Sequence, residues 1–358
     1  MTEAWCLNGE TICAYLRETG RLAAGEPCAA TRLPGGVSNE VMRVESGHGS
    51  WVVKQALPRL RVASEWLADA RRSEVEARCL EVLAALLPAG SVPQLVFSDP
   101  VRHVLAMSAA PASMRNLKDA LLAGRVDEAT AAAAGRLLGA IQAGTAARPE
   151  LATAFGDVEP FRQLRLAPYY EEVARRHADL AGVVLERAVA AQRDRRCLVH
   201  GDYSPKNMLF EGRRLLLLDF EVAHWGCRAF DPAFFLNHLL LKTIHLPPHA
   251  YLLSRAAAAF WDVFRAAAEW PDGAALEAEV VGHLGCLLLA RVDGKSPVEY
   301  ITAESGKEQV RGLAREILGG GLTSLAAAFA AAGGGTTPWG AGSGEQRRGR
   351  RGTRPGGL

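Results

Sequence analysis

The sequence predicts an α+β protein of two lobes, an N-terminal antiparallel sheet with one helix followed by a mainly helical C-terminal lobe. Three features predict it. Short apolar runs broken by turn residues occupy the chain up to Met107. Long helical periodicities take over from Asn116. Among those helices sits one loop-and-hairpin segment, from Leu198 to Glu221, rich in carboxylates and amides.

Residues 8–20 read as a short helix, with Asn8 as cap and Gly20 as stop. Thr31-Arg32-Leu33, Val41–Glu45 and Trp51–Gln55 read as strands, parted by Pro34-Gly35-Gly36 and by Ser46-Gly47-His48-Gly49-Ser50. Residues 64–87 carry a helical stripe of Val75, Cys79, Val82, Leu83 and Leu86. Two further strands, Val92–Phe97 and Val101–Met107, complete the lobe. Helices follow at 127–143, 160–178 and 180–193. Met208–Phe210 and Leu215–Leu218 form a hairpin around Glu211-Gly212-Arg213. Helices resume at 231–243, 249–269, 273–292 and 306–331. The division expected is 1–107, 108–332 and a tail, 333–358, too poor in apolar residues to pack and expected to be disordered.

At 358 residues the chain has room for two lobes, and 49% hydrophobic with 22% charged residues is the balance of a globular protein. The net charge of +2 argues against dedicated nucleic-acid binding. The tail alone carries +4, from five arginines against one glutamate, which leaves −2 for the body. Seven cysteines, with no Cys-x-x-Cys pair and no clustered histidines, point to scattered reduced thiols rather than a zinc site or a disulfide scaffold. The first residues show no signal-peptide pattern, and no run of about 18 apolar residues occurs, so a cytoplasmic protein without a membrane span is expected. Oligomeric state is not legible.

The densest chemical signal is Leu198-Val199-His200-Gly201-Asp202-Tyr203-Ser204-Pro205-Lys206-Asn207, followed by Leu218-Asp219-Phe220-Glu221. An aspartate on a loop is followed five residues later by an asparagine, and twelve after that by a second aspartate. Phosphoryl transfer needs a positioned hydroxyl, metal ions on the phosphates and neutralised charge. Asp202 suits the hydroxyl proton. Asn207 and Asp219 offer the hard oxygens that Mg²⁺ prefers. Any of these residues alone serves equally as a turn cap; their order and spacing carry the reading.

His200-Gly201-Asp202-x4-Asn207 with Asp219-x-Glu221 resembles the aminoglycoside phosphotransferase/choline kinase superfamily, over approximately residues 30–300. The resemblance implies a protein-kinase-like fold, ATP and Mg²⁺ as cofactors, and a small-molecule hydroxyl acceptor. It implies Asp202 as catalytic base and Asn207 and Asp219 as metal ligands, and Glu221 is read as a further metal ligand. It also implies a bracing role for Asp231, which equally suits a helix N-cap. Asp219-Phe220-Glu221, and Val53–Pro58 followed by Arg61-Val62, are similar to the methylthioribose kinase branch. His200 is expected to orient the loop.

Upstream, Lys54 ends a strand, as a phosphate-contacting lysine should, and Glu76 is the chosen carboxylate partner, with Glu74 its competitor. Gly35, Gly36, Ser38 and Asn39 sit on a turn that suits either phosphate or a plain hairpin. Met107 opens the linker where adenine would meet backbone. Lys206 suits γ-phosphate or solvent. Arg291–Pro297 suits either the acceptor pocket or a helix end. A cationic acceptor would want acidic residues such as Asp262, Glu269 and Glu299. The expected activity is transfer of the ATP γ-phosphate to an aminoglycoside-like or other small hydroxylated molecule. A methylthioribose-type sugar kinase and a catalytically silent nucleotide-binding protein are the alternatives.

Overall fold

A computed structural model describes residues 5–34, 36–61, 66–335 and 339. Gly35, the start of the 64–87 helical stretch and all but four residues of the expected 333–358 tail lie outside them.

Five strands form the N-terminal sheet: β1 (Cys28–Arg32), β2 (Asn39–Ser46), β3 (Gly49–Ala56), β4 (Leu95–Asp99) and β5 (Val104–Ser108). All pairings are antiparallel, in the order β1-β2-β3-β5-β4. Alternation along each strand gives the sheet two apolar faces. Met42, Val44, Val53, Val104 and Ala106 pack under α1 (Ile12–Glu18) through Ile12, Tyr15 and Leu16. Asn8 Oδ1 accepts from the Glu10 and Thr11 N–H groups at the start of that helix. Val52, Leu105 and Met107 take the opposite face, toward α2 (Arg72–Leu86) and the C-terminal lobe. Cys13 and Cys28 are joined by a disulfide, which corrects the expectation of reduced thiols throughout. The cause is topological: α1 packs at the start of β1, so cysteines fifteen residues apart come to a Cα–Cα distance of 6.0 Å.

The C-terminal lobe contains α3 (Leu117–Leu122), α4 (Glu128–Ala146), α5 (Ala181–Arg193), α6 (Phe230–His245), α7 (Ala250–Ala268), α8 (Gly273–Asp293), α9 (Glu304–Leu318) and α10 (Leu325–Ala332). The expected helix at 306–331 is two helices, because Gly319-Gly320-Gly321 ends the first, with Gly320 at φ +81°. The expected helix at 160–178 contains a π-helical stretch, Arg162–Glu171, around Pro168, which has no N–H for a regular α ladder. All but one residue of α6 is buried, the mark of an interior helix. Helices α4 and α7 approach closely: a Cβ on Gly135 would lie 2.3 Å from the Phe260 carbonyl oxygen. Helix α8 is long and apolar enough to cross a membrane by length and composition, unlike the sequence expectation, but 61% of its most apolar window is buried.

Five short strands position the site: β6 (Arg115–Asn116), β7 (Cys197–Val199), β8 (Met208–Glu211), β9 (Arg214–Leu217) and β10 (His224–Gly226). The hairpin β8–β9 is the expected one, and β6 adds to its edge. The β7–β10 pairing was not legible in the sequence. It ties the residue before His200 to the segment just after Glu221.

Candidate active site

Gly201 explains the local shape of the first loop. Its φ is +77°, and a Cβ there would sit 2.8–2.9 Å from Val222. The loop therefore turns sharply enough for two successive N–H groups to meet one buried carboxylate. His200 N–H donates to Asp231 Oδ2 at 2.6 Å and Gly201 N–H to Oδ1 at 2.9 Å. Asp231 lies in the first turn of α6 and is fully buried, which raises its carboxyl to about 7 against the pull of those N–H groups. Burial holds the His200 imidazole down to about 4, so it is neutral at pH 7. Its Nδ1 accepts from the Asp202 N–H at 3.1 Å, which leaves the proton on Nε2, facing the Leu218 carbonyl at 3.0 Å. One imidazole thus links the Asp202 loop to the Asp219 loop.

Asp202 is buried, and its Oδ2 contacts Arg165 Nη2 and Lys206 Nζ, each at 2.9 Å. Burial alone would raise this carboxyl, but the two cations hold it below the ordinary carboxylate range. Its Oδ1 has no partner among the described residues. Arg165 also donates from Nε to the Gly201 carbonyl at 2.7 Å. Asn207 Nδ2 donates to the Asp202 carbonyl at 3.0 Å, which leaves its Oδ1 as the unengaged amide atom.

Lys54 is buried between three carboxylate oxygens. Its Nζ lies 2.8 Å from both oxygens of Glu76 and 2.8 Å from Asp219 Oδ1. Burial would lower the ammonium, but Asp219, Glu76 and Glu221 outweigh it and raise it above an ordinary lysine. Asp219 is pulled down by Lys54 and Lys206 despite its burial, whereas burial dominates at Glu76 and raises it. Glu74, the competitor, is only partly buried and makes no ion pair among the described residues. Asp219 holds φ +72°, a left-handed backbone unusual for a non-glycine residue and typical of strained functional positions.

Glu221 is engaged otherwise than expected. Its Oε1 accepts from Ser38 Oγ at 2.7 Å, and its Oε2 from Asn39 Nδ2 at 2.8 Å and Arg72 Nε at 2.9 Å. Both oxygens accept from donors of the N-terminal lobe, so this carboxylate ties the two lobes together. Arg72, fully buried, also donates to the Ser38, Leu57 and Asp69 carbonyls. Ser38 and Asn39 accordingly face Glu221, and Gly36 stands beside them in the cavity wall.

Two cavities meet at these groups. One, of about 570 Å³, runs between Val41, Val52 and Met107 of the sheet and Leu209 and Leu218 of the hairpin; residues 108–112 close one side. The other, of about 500 Å³, lies over the C-terminal lobe, with Asp202, Lys206 and Arg165 in its wall. Asn207 and Asp219 line both. Their free hard oxygens suit Mg²⁺, which binds through one or two protein oxygens plus phosphates and waters. Arg72 and Arg165 were not foreseen. Arg72 is recoverable from its i, i+4 spacing to Glu76, which puts both on one helix face. Arg165 sits on π-helical turns and has no periodic signal.

A strand-rich lobe over a helical lobe, with the cleft between them, defines the chain as one of protein-kinase-like fold. The profile of the APH family, the phosphotransferase enzyme family, matches residues 29–270, and the chain belongs to that family. Among solved structures, aminoglycoside 2'-phosphotransferase-IIIa in its GDP complex is 13% identical, with 88% of this chain and 100% of that chain covered and a TM-score of 0.51. Macrolide 2'-phosphotransferase type I is 18% identical over 86% of this chain and 98% of that one, with a TM-score of 0.50. Amicoumacin kinase hAmiN, in complex with AMP-PNP, Ca²⁺ and Ami, is 16% identical over 87% and 94%, with a TM-score of 0.52. At these identities the likeness is one of fold. Comparison with curated protein sequences returns no match. Nothing in these matches separates the methylthioribose kinase branch from the rest of the family.

Proposed function

We propose that the protein transfers the γ-phosphate of ATP to a hydroxyl of a small molecule. The observation that carries this reading is the shared wall of the two cavities, where Asn207 and Asp219 stand between Lys54 on one side and Asp202 on the other. The sheet-side cavity takes the nucleotide, adenine against the backbone of residues 108–110 and phosphates toward Lys54. The second cavity takes the acceptor. Asn207 and Asp219 would hold Mg²⁺, which would neutralise phosphate charge. Asp202 accepts the hydroxyl proton on its free Oδ1, the acceptor oxygen bonds to the γ-phosphorus, the bond from phosphorus to the β,γ-bridging oxygen breaks, and ADP leaves. Arg165 keeps Asp202 ionised and oriented. Lys206, on the same carboxylate, is placed to meet charge on the transferred group. Retention of Lys54, Asp202, Asn207 and Asp219 together weighs against a silent nucleotide-binding role.

The test is transfer of label from γ-labelled ATP to a panel of hydroxylated small molecules. Asp202→Asn is expected to lower turnover about a thousandfold while leaving ATP affinity unchanged. Full activity in that variant would remove the base from the mechanism.

A further inference from the structure

The acceptor cavity has an unusual charge pattern. Four carboxylates line it: Asp119, Asp202, Asp219 and Glu221. Three of them are already matched, Asp202 by Arg165 and Lys206, Asp219 by Lys54, and Glu221 by Arg72. Only Asp119, exposed at the first turn of α3, has no cation on it among the described residues. Asp262 and Glu269, which would serve a cationic acceptor, are exposed on and just beyond α7 and outside the cavity wall. Glu299 is taken up by Lys118.

The cations are the surplus. Arg291, at the end of α8, lines the cavity and has no carboxylate partner among the described residues. Its Nη1 donates to Tyr169 Oη at 3.0 Å and to the Ser296 carbonyl and Oγ at 2.5 and 3.1 Å, and its buried Nε makes no hydrogen bond among the described residues. Lys295 stands beside it, exposed and also without a carboxylate among the described residues. Behind them a small cavity of about 30 Å³ is lined by four cations, Arg291, Lys118, Lys206 and Lys242, against one carboxylate, Glu299, which is already paired with Lys118. Lys242 is fully buried on α6, one turn beyond His238. Among the described residues its ammonium makes one hydrogen bond, to the His238 carbonyl at 3.3 Å, lies 5.0 Å from the Tyr300 ring centroid, and forms no ion pair. The Tyr300 hydroxyl is buried there without a hydrogen-bond partner among the described residues. Several cations sharing one carboxylate in a buried cavity are costly to hold there, and an incoming anion relieves that cost. Burial and the charges of Lys118 and Arg291 pull Lys242 down to about 7, and Glu299 only partly offsets them.

We propose that the acceptor is an anionic hydroxylated molecule whose carboxylate or phosphate is held by Arg291 and Lys295, with Lys242 behind them. The inference deepens the kinase reading and rests on it for the fate of the hydroxyl. Planar guanidinium and flexible ammonium groups are the side chains that hold such oxyanions. Neither a polycationic aminoglycoside nor an uncharged sugar satisfies this end of the cavity.

Calorimetric titration tests binding apart from transfer, with gluconate, glycerate and ribose 5-phosphate as anionic probes and ribose and gentamicin as controls. At least one anion is expected to bind saturably and more tightly than ribose or gentamicin. Carboxylate and phosphate probes separate the two sources of charge. Arg291→Gln is expected to weaken that binding about tenfold or more, and the exposed Lys295→Gln, which poses no folding risk, severalfold, with ATP affinity unchanged in both. Absence of binding by every anion, equal or tighter binding of gentamicin or ribose, or anion binding indifferent to both substitutions would each overturn the proposal. Parallel assays for label transfer keep the two readings apart. An anion that binds through Arg291 yet receives no phosphate, with no other acceptor phosphorylated, sinks the transfer reading and leaves the anion site standing. Phosphorylation of gentamicin or ribose alone does the reverse.

Discussion

Asp202 owes its ionised state to two cations on one oxygen, and that arrangement has a measurable consequence. Arg165 is the buried member of the pair, while the Lys206 side chain is about half exposed, at 52%. Arg165 therefore acts through the drier medium and carries more of the effect. Removing it raises the Asp202 carboxyl, so the base protonates at a higher pH. Arg165→Met is expected to move the acid limb of the kcat/KM profile upward, besides lowering its plateau. An unmoved limb would assign that limb to another group. At this scale the sequence was informative where spacing is local. His200, Asp202, Asn207 and Asp219 sit in one loop-hairpin-loop, and their order alone brought them together. Arg165 joins them from thirty-seven positions upstream, and nothing near it in sequence marks it.

Helix α2 is the element that couples the lobes. One face presents Arg72 to Glu221 and Glu76 to Lys54, one turn apart. The Arg72–Glu221 pair is buried on both sides, and breaking such a pair by altering one partner costs about 3–5 kcal/mol, far more than an exposed pair is worth. Glu221→Gln is expected to lower the denaturant-derived stability by about 3 kcal/mol and to raise the KM for ATP, because Ser38 and Asn39 lose their anchor. The Mg²⁺ concentration giving half-maximal activity should stay unchanged. A marked rise in that requirement would restore Glu221 as a metal ligand. Glu221 has no partner near it in the chain but the neighbouring aspartate, and its three donors come from positions more than a hundred residues away. Strands and helices were legible from their periodicities. The π-helical stretch and the two-residue and three-residue strands β6, β7 and β10 were not, since such short pieces carry too few residues to show a period.

For the molecule as a whole, four buried imidazoles set the acid response. Burial holds His200 and His224 near 4 and His283 near 3, and lowers His238 as well. Each protonates in the unfolded chain near 6.5 but not in the fold, so its contribution is full above about 6.5 and is lost as pH falls. Asp202 and Asp219, held low, act in the same direction below the ordinary carboxylate range. Asp231 and Glu76, raised by burial, run the other way, with stability lost as pH rises through about 7. The histidines outnumber them, so the urea midpoint is expected to fall between pH 6.5 and about 4.5. A midpoint that rises over that interval would place the carboxyls in control. The two-lobed architecture was legible because the change from short alternating runs to long helical periods falls at one place in the chain. The Cys13–Cys28 disulfide was not, because spacing alone does not say which distant cysteines a fold brings together.

Nucleotide phosphates and a divalent ion are proposed to meet at the wall shared by the two cavities. The most direct measurement is a crystal structure with a non-hydrolysable ATP analogue and Mg²⁺. Metal is expected on Asn207 and Asp219, Lys54 on the phosphates, and the terminal phosphate turned toward Asp202 and Lys206. A nucleotide seated elsewhere, or one whose terminal phosphate points away from Asp202 with the metal held by other residues, would contradict it.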